Sequence, residues 1–529
     1  MIFKSKKFYF ILFPFVIYFL IGSYLSLTNG LTSDEWIEQK NWEINITAIK
    51  EFILTGKYPE LTNYRDKYHG IGFHYISQPF QYLIKEYITK LNEVSSFGGL
   101  LISKHIFVFF TFSLSGFFFF KIINKITKNK IYSILSTAIY LLYPYLFGHA
   151  HFNPKDIPFL SFWLINTYFS LKIFEDIYLE KKIKIKYIVL ISFLSAYLIS
   201  IRVVGILIFI QYLVTLIIFL NLKKINLIKF LKEHYKLILT FIPIFLPSII
   251  ILNPIFWHDP LEILNSIKWM GKYPQNICTL TLGSCMKANN LPSSYYFIWF
   301  FYKLPILILI GYLIFPLVEE KIFKDKIISI YYGTITITAP LIIFLFIIKN
   351  VALYDELRHL LFIFPLIFVT AFTNLFFFVK KIFLYVIGIF VIIFFILENY
   401  NTNPYQYTWL NSFAKFKNIE KNFEIDYWGL SNKNLQNKIS EFSKNNNIPK
   451  STCVFGDFYV KDFLETKGFN CFKLYSQIDD PNKRPLFAYK NLRTVKRSDP
   501  KNCDLIWDET YKYSFYNKEI SAGTLWYCY

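Results

Sequence analysis

Apolar residues in this chain gather into long unbroken runs of bilayer-crossing length, not into the short alternating patterns of a water-soluble core. Such runs lie near residues 8–28, 100–120, 131–148, 157–174, 187–201, 203–221, 236–253, 298–318, 327–348, 359–379 and 382–399. They predict a mainly α, polytopic membrane helical bundle of about eleven transmembrane helices. The stretch from Tyr187 to Leu222 is too long for one crossing, and Arg202 followed by Gly205 predicts a tight turn between two short spans. The first run has no small-residue cleavage site after it, and Lys4, Lys6 and Lys7 precede it, so it reads as a retained first helix.

The polar connections fix an orientation. With the N-terminus in the cytoplasm, the inner connections are 121–130, 175–186, 222–235, 319–326 and Lys380-Lys381, every one of them basic or lysine-bearing. The outer segments are then a long loop at 29–99, a short one at 149–156, the turn at 202, a second long loop at 254–297, a short one at 349–358, and the tail from 400. This accounts for the net charge of +21 without nucleic acid. All six cysteines, Cys278, Cys285, Cys453, Cys471, Cys503 and Cys528, fall in outer segments, as an oxidising compartment permits; Cys278 and Cys285 are the easiest local pair, and the order among the other four stays open. The expected location is a membrane crossed many times, with the C-terminal part on the extracytoplasmic side.

Composition agrees: 54% of residues are hydrophobic, more than soluble cores need. The 60 Phe and 40 Tyr beside only 3 Met carry less weight, because abundant Ile, Lys and Asn point to AT-rich codons. From residue 400 the pattern changes to a polar helix (NKNLQNKISEFSKNNNI) followed by strand-like pieces. Two domains are expected: 1–399, a transmembrane domain with its outer loops, and 400–529, a small soluble α/β domain. The chain has no internal repeat, no glycine-rich phosphate loop and no CxxC zinc pattern.

Ionisable residues are scarce inside the runs and dense where outer loops meet them, whereas a transporter would keep such groups near the bilayer midplane. In TSDEW, Asp34 and Glu35 follow the first span; a carboxylate at that depth suits a general base toward an acceptor hydroxyl, although Thr32 and Glu35 also have capping-box spacing. In GHAHFNPKDIPF, Lys155 suits a phosphate, while Asp156 suits either a sugar or the cap of the helix that Pro158 begins. His149 and His151 in the same hairpin leave a divalent metal open, and no other cofactor is indicated. Arg202, at an outer turn, and Arg358-His359, in YDELRHLLF, place cations on the same face, suited to a lipid phosphate or to ion pairs with Asp355 or Glu356.

Taken together, the acidic pair after the first span, NPKDIPF, WHDP (Trp257 to Pro260), PSSYYFIWFFYKLP, YDELRH, and the tail segments NPYQYTWLNSF and FEIDYWGLS resemble superfamily C glycosyltransferases. Within these the chain is similar to the family 39, dolichyl-phosphate-mannose protein mannosyltransferase-like bacterial membrane enzymes. The resemblance implies an inverting transfer of a sugar from a polyprenyl-phosphate donor to an acceptor hydroxyl on the extracytoplasmic face. The acceptor would be a glycan, lipid or protein. It further implies Asp34 as the base, with Glu35 beside it, and Lys155, Asp156 and Arg358 around the donor phosphate; members differ in whether a metal takes part. A flippase or transporter of lipid-linked glycans is the alternative of a different class.

Overall fold

The computed structural model describes residues 6–58, 61, 63–272, 277–456, 460–475, 478, 484–491, 493 and 499–529; Lys4 lies outside the described residues. Every one of the expected apolar runs is helical. Among the described residues seven helices are long and apolar enough to cross a bilayer, and three bent pairs raise the number to ten. The pairs are Phe13–Thr28 with Ser33–Thr55, bent by 88°; Lys130–Leu142 with Pro144–Ala150, bent by 62°; and Ser294–Lys303 with Ile306–Leu313, bent by 119°. The last two break at a proline, Pro144 and Pro305, which lacks an N–H and pushes the residue before it out of helical geometry. Ile185–Ile201, with 17 residues, is a shorter apolar helix; at about 1.5 Å per residue it falls short of a hydrocarbon core of about 30 Å. The turn expected at Arg202 is present, with that residue extended (φ −147°, ψ 131°) between this helix and the next.

Helix Asp156–Tyr178 runs through the centre, its apolar window 72% buried, whereas Leu227–Ile251 is only 6% buried and turns its surface outward to lipid. The two ends of the bundle differ in chemistry. At the Tyr178 end the basic connections meet one another: Lys125 pairs with Glu175 at 2.9 Å, Lys128 with Asp325 at 3.0 Å, Lys223 with Glu180 at 2.9 Å, and Asn129 Nδ2 donates to Tyr385 Oη at 2.9 Å. The loops the sequence places outside gather at the Asp156 end, about 34 Å away for a 23-residue helix.

The tail begins as irregular chain packed into the bundle. Tyr405, Tyr407, Trp409, Tyr427 and Trp428 are buried in the same apolar core as the membrane helices. Asn411 donates from its backbone to Tyr302 O and from Nδ2 to Leu304 O, which satisfies carbonyls left free where the helix stops at Pro305. A hairpin of β1 (Cys278–Thr281) and β2 (Ser284–Lys287) turns on Leu282 and Gly283, both at positive φ, a two-residue loop suited to strand twist. Its Leu280 N–H donates to the Glu424 carboxylate of the tail at 2.6 Å.

Beyond residue 430 comes a small α/β unit. Helix Asn432–Asn445 packs on a mixed sheet of β3 (Cys453–Gly456), β4 (Phe472–Leu474), β5 (Leu486–Asn491), β6 (Cys503–Tyr511) and β7 (Ile520–Cys528), in the order β4-β3-β5-β7-β6. Here β3 lies parallel to β4 and β5, and β7 lies antiparallel to β5 and β6. Its core is shared: Leu435, Ile439, Phe463 and Phe487 pack with Leu31, Ile88 and Val94 of the first outer loop and with Leu101 just beyond it. The cysteines pair as Cys278–Cys285, Cys453–Cys471 and Cys503–Cys528.

Burial pushes the Glu424 carboxyl up to about 8, against the Leu280 N–H bond that lowers it. From the usual 4.5 to that value the folded chain keeps a proton that the unfolded chain gives up, so this group's contribution to stability declines as pH rises through the window. The limiting slope is about 1.4 kcal/mol per pH unit. The unfolding midpoint in detergent is expected to fall between about pH 5 and 8, and Glu424→Gln to flatten that decline. Equal slopes in the two proteins would place the titration elsewhere.

Candidate active site

Helix Ser33–Thr55 begins with a capping box, and this sorts the two adjacent acids. Glu35 Oε2 accepts from the Thr32 N–H and from Thr32 Oγ1, both at 2.8 Å, and Glu35 Oε1 meets His105 Nε2 at 2.6 Å in the interior. Its oxygens are committed to holding the start of the helix. Asp34, about 100° round the helix, points the other way, and its side chain keeps 35% of its surface exposed. One turn on, Glu38 shares that face.

Asp34 opens onto a cavity of about 410 Å³, which Glu38, His69, Lys155, Asp156, Arg202, Arg358 and His359 also line. The structure thus brings together residues from five separate parts of the sequence. Arg358 NH1 donates to Asp34 Oδ2 at 2.6 Å, Lys155 Nζ to Glu38 Oε1 at 2.7 Å, and Arg202 pairs with Asp156. Each of these three cations therefore faces a carboxylate. Val203, Val204, Ile206, Leu207, Leu345 and Phe346, at the ends of membrane helices, add apolar surface to the same cavity.

The corner before Arg358 has an uncommon backbone: Asp355 (φ 55°) and Glu356 (φ 64°) are successive non-glycine residues in left-handed geometry, a cost the surroundings must overcome. Two contacts do so. Glu356 pairs with Lys303 Nζ at 2.7 Å with neither side chain exposed, and Asp355 Oδ1 accepts from Arg493 NH2 at 2.7 Å. The Arg358 guanidinium lies over the rings of Tyr354 and Trp428, 4.7 and 4.6 Å from their centroids. Held against two rings, it has little freedom to turn.

Burial, then the nearby Arg358 charge, pushes Arg202 down to about 10, which leaves it cationic at neutral pH. Burial also lowers Lys155, with the Glu38 carboxylate opposing. Burial and the cations Lys155, Arg202 and Arg358 hold His69 well below the usual histidine range, so it is neutral at physiological pH. Its carbonyl accepts from Asn41 Nδ2 at 2.7 Å, and this fixes the loop that carries it.

His149 and His151 lie apart from the cavity. His149 is fully buried, with Asn153 Nδ2 at 3.2 Å from Nδ1 and Tyr427 Oη at 3.2 Å from Nε2. His151 stacks on Phe109 and meets Ser26 Oγ at 2.8 Å. Among the described residues no three His, Cys, Asp or Glu groups are placed to hold a metal ion. Sequence reasoning passed over Glu38, His69, Trp428 and Arg493. Glu38 carried a usable signal, its four-residue spacing from Asp34; the others come from irregular chain or from the distant tail.

No family model matches the chain, and no curated protein matches it. Among solved structures it is similar to ArnT from Cupriavidus metallidurans in the apo state, with a TM-score of 0.46 and 10% identity over 98% of this chain and 97% of that one. It is similar also to ArnT from Cupriavidus metallidurans bound to undecaprenyl phosphate, with a TM-score of 0.44 and 11% identity over 99% of this chain and 98% of that one. Both likenesses are distant.

Proposed function

We propose that the chain is a membrane glycosyltransferase that moves a sugar from a polyprenyl-phosphate donor to an acceptor hydroxyl on the extracytoplasmic face of a bacterial inner membrane. The observation that carries this is the cavity's lining, which is both charged and apolar. Lys155, Arg202, Arg358 and the half-open Asp34 carboxylate line it together with the apolar ends of membrane helices. A lipid phosphate ester has the same two-part chemistry. The extracytoplasmic placement is supported by the basic connections gathered at the opposite end and by the three disulfides.

In the proposed step, Asp34 takes the proton of the acceptor hydroxyl as its oxygen bonds to the anomeric carbon from the face opposite the phosphate. The bond from that carbon to the phosphate oxygen breaks, and polyprenyl phosphate leaves with the electron pair. Arg358, Lys155 and Arg202 would stabilise the charge that grows on the phosphate, in a site where little water remains to screen it. The Asp34–Arg358 pair keeps both groups in place between turnovers; a phosphate arriving on Arg358 competes for the guanidinium and frees the carboxylate for the acceptor.

The test is to incubate purified protein in lipid with a panel of radiolabelled polyprenyl-phosphate sugars and a membrane extract. Label moving into a new product is the expected result. If folded protein consumes no donor, and labelled lipid instead crosses the bilayer of sealed vesicles, the chain is a transporter of lipid-linked glycans.

A further inference from the structure

We propose that Arg493, carried by the C-terminal α/β unit, is a positioning residue for the Asp34–Arg358 pair and acts on it through Asp355; the proposal rests on the transferase reading above. Four charges of alternating sign stand in a line. Arg493 NH2 reaches Asp355 Oδ1 at 2.7 Å, Asp355 Oδ2 lies 3.3 Å from Arg358 NH2, and Arg358 NH1 reaches Asp34 Oδ2 at 2.6 Å. Arg358 thus divides itself between two carboxylates and sits closer to Asp34.

That division depends on what else Asp355 holds. The Asp355 side chain is 3% exposed, so water does little to satisfy it. Its backbone N–H is spent on Thr279 Oγ1 at 3.0 Å, which fixes the corner but leaves the carboxylate to the two guanidinium groups. Burial raises the Asp355 carboxyl above its ordinary range, and Arg493 followed by Arg358 oppose that rise. Arg493 is itself anchored by a bond to the Tyr427 carbonyl at 3.3 Å, next to the Trp428 ring that stacks on Arg358.

Without Arg493, a buried carboxylate keeps a single cation. Arg358 would then turn toward Asp355, where a two-pronged pairing is within reach, and away from Asp34 and the donor phosphate. Asp34 would lose the partner that aims it. The C-terminal unit would in this way set the geometry of a reaction it does not touch.

A charge argument of this kind makes a prediction that damage to packing does not. Turnover of a polyprenyl-phosphate sugar is measured for wild type, Arg493→Met, Asp355→Asn and the double variant. Binding of polyprenyl phosphate alone is measured by calorimetry on the same four proteins. Arg493→Met is expected to lower kcat by about 10- to 100-fold, the scale of a misplacement of about 1 Å. Adding Asp355→Asn removes the unpaired carboxylate and should return kcat to within a few-fold of wild type. Losses that simply add across the cycle would overturn the proposal, as would an Arg493→Met protein with wild-type kcat.

Arg493→Lys keeps the charge and should stay near wild type; a folded Lys variant as impaired as Met would also overturn the proposal. This variant carries the test if Arg493→Met does not fold. Wild type that consumes no donor defeats the transferase reading instead. The cycle is then read in polyprenyl phosphate affinity, where an additive result overturns the Arg493 proposal independently.

Discussion

Asp34→Asn is expected to lower sugar transfer by about 10²- to 10⁴-fold, the range a positioned general base contributes. The amide keeps the size of the carboxylate and can still accept from Arg358 NH1, so donor KM should change much less than kcat. Folding should survive, because Asp34 is half-open to the cavity and Arg358 retains Asp355 and its two stacking rings. The measurement is initial rate against donor concentration on a labelled polyprenyl-phosphate sugar, with the unfolding midpoint recorded on the same preparation. Full transfer by the Asn protein would remove Asp34 from the chemistry. Glu35→Gln should differ in kind, loosening the helix start shared by Thr32 and His105 and lowering stability before it touches rate.

The second large effect is on the fold. Lys303→Ala is expected to destabilise the protein by about 3–5 kcal/mol, the cost of leaving a buried charge without its partner. Lys303 and Glu356 are both completely buried, and the ammonium also donates to the carbonyls of Thr408 at 3.2 Å and Tyr407 at 3.4 Å. The same nitrogen lies over the Tyr145 ring, 4.3 Å from its centroid. One side chain therefore ties the broken helix Ser294–Lys303 to both the Arg358 corner and the tail. Lys303→Met with Glu356→Gln removes both charges at nearly constant volume and should recover most of the loss. Unfolding in detergent, followed by tryptophan fluorescence, measures it; an unchanged midpoint in Lys303→Ala would mean that the pair contributes nothing net.

What could be read in advance was whatever has a local cause. Run length gave the helices, Arg202 with Gly205 gave the turn, and the lysines of the inner connections gave the end at which they cluster. Asp34, Lys155, Asp156, Arg202, Arg358 and His359 were singled out because charge is costly at a membrane boundary, and all six line one cavity. Glu35, His149 and His151 have the same residue chemistry and nearly the same positions as their neighbours. What separates them is the direction of the side chain, a step of about 100° along a helix, and residue type does not encode it. The bends at Pro144 and Pro305 had a local cause that run length hides. Trp428 and Arg493 reach the site from more than 390 positions beyond Asp34, a distance no spacing rule bridges.

The apolar layer that the C-terminal unit shares with the first outer loop also orders events during synthesis. Leu31, Ile88, Val94 and Leu101 are made early, yet their packing partners Leu435, Ile439, Phe463 and Phe487 emerge only after the last membrane helix has been inserted. Through most of translation the loop that carries Asp34 has no closed core, and the contacts that complete it are among the most non-local in the chain. The nascent chain therefore carries an uncovered apolar face until the C-terminal unit has been made, and the charged cavity is braced from that side only then.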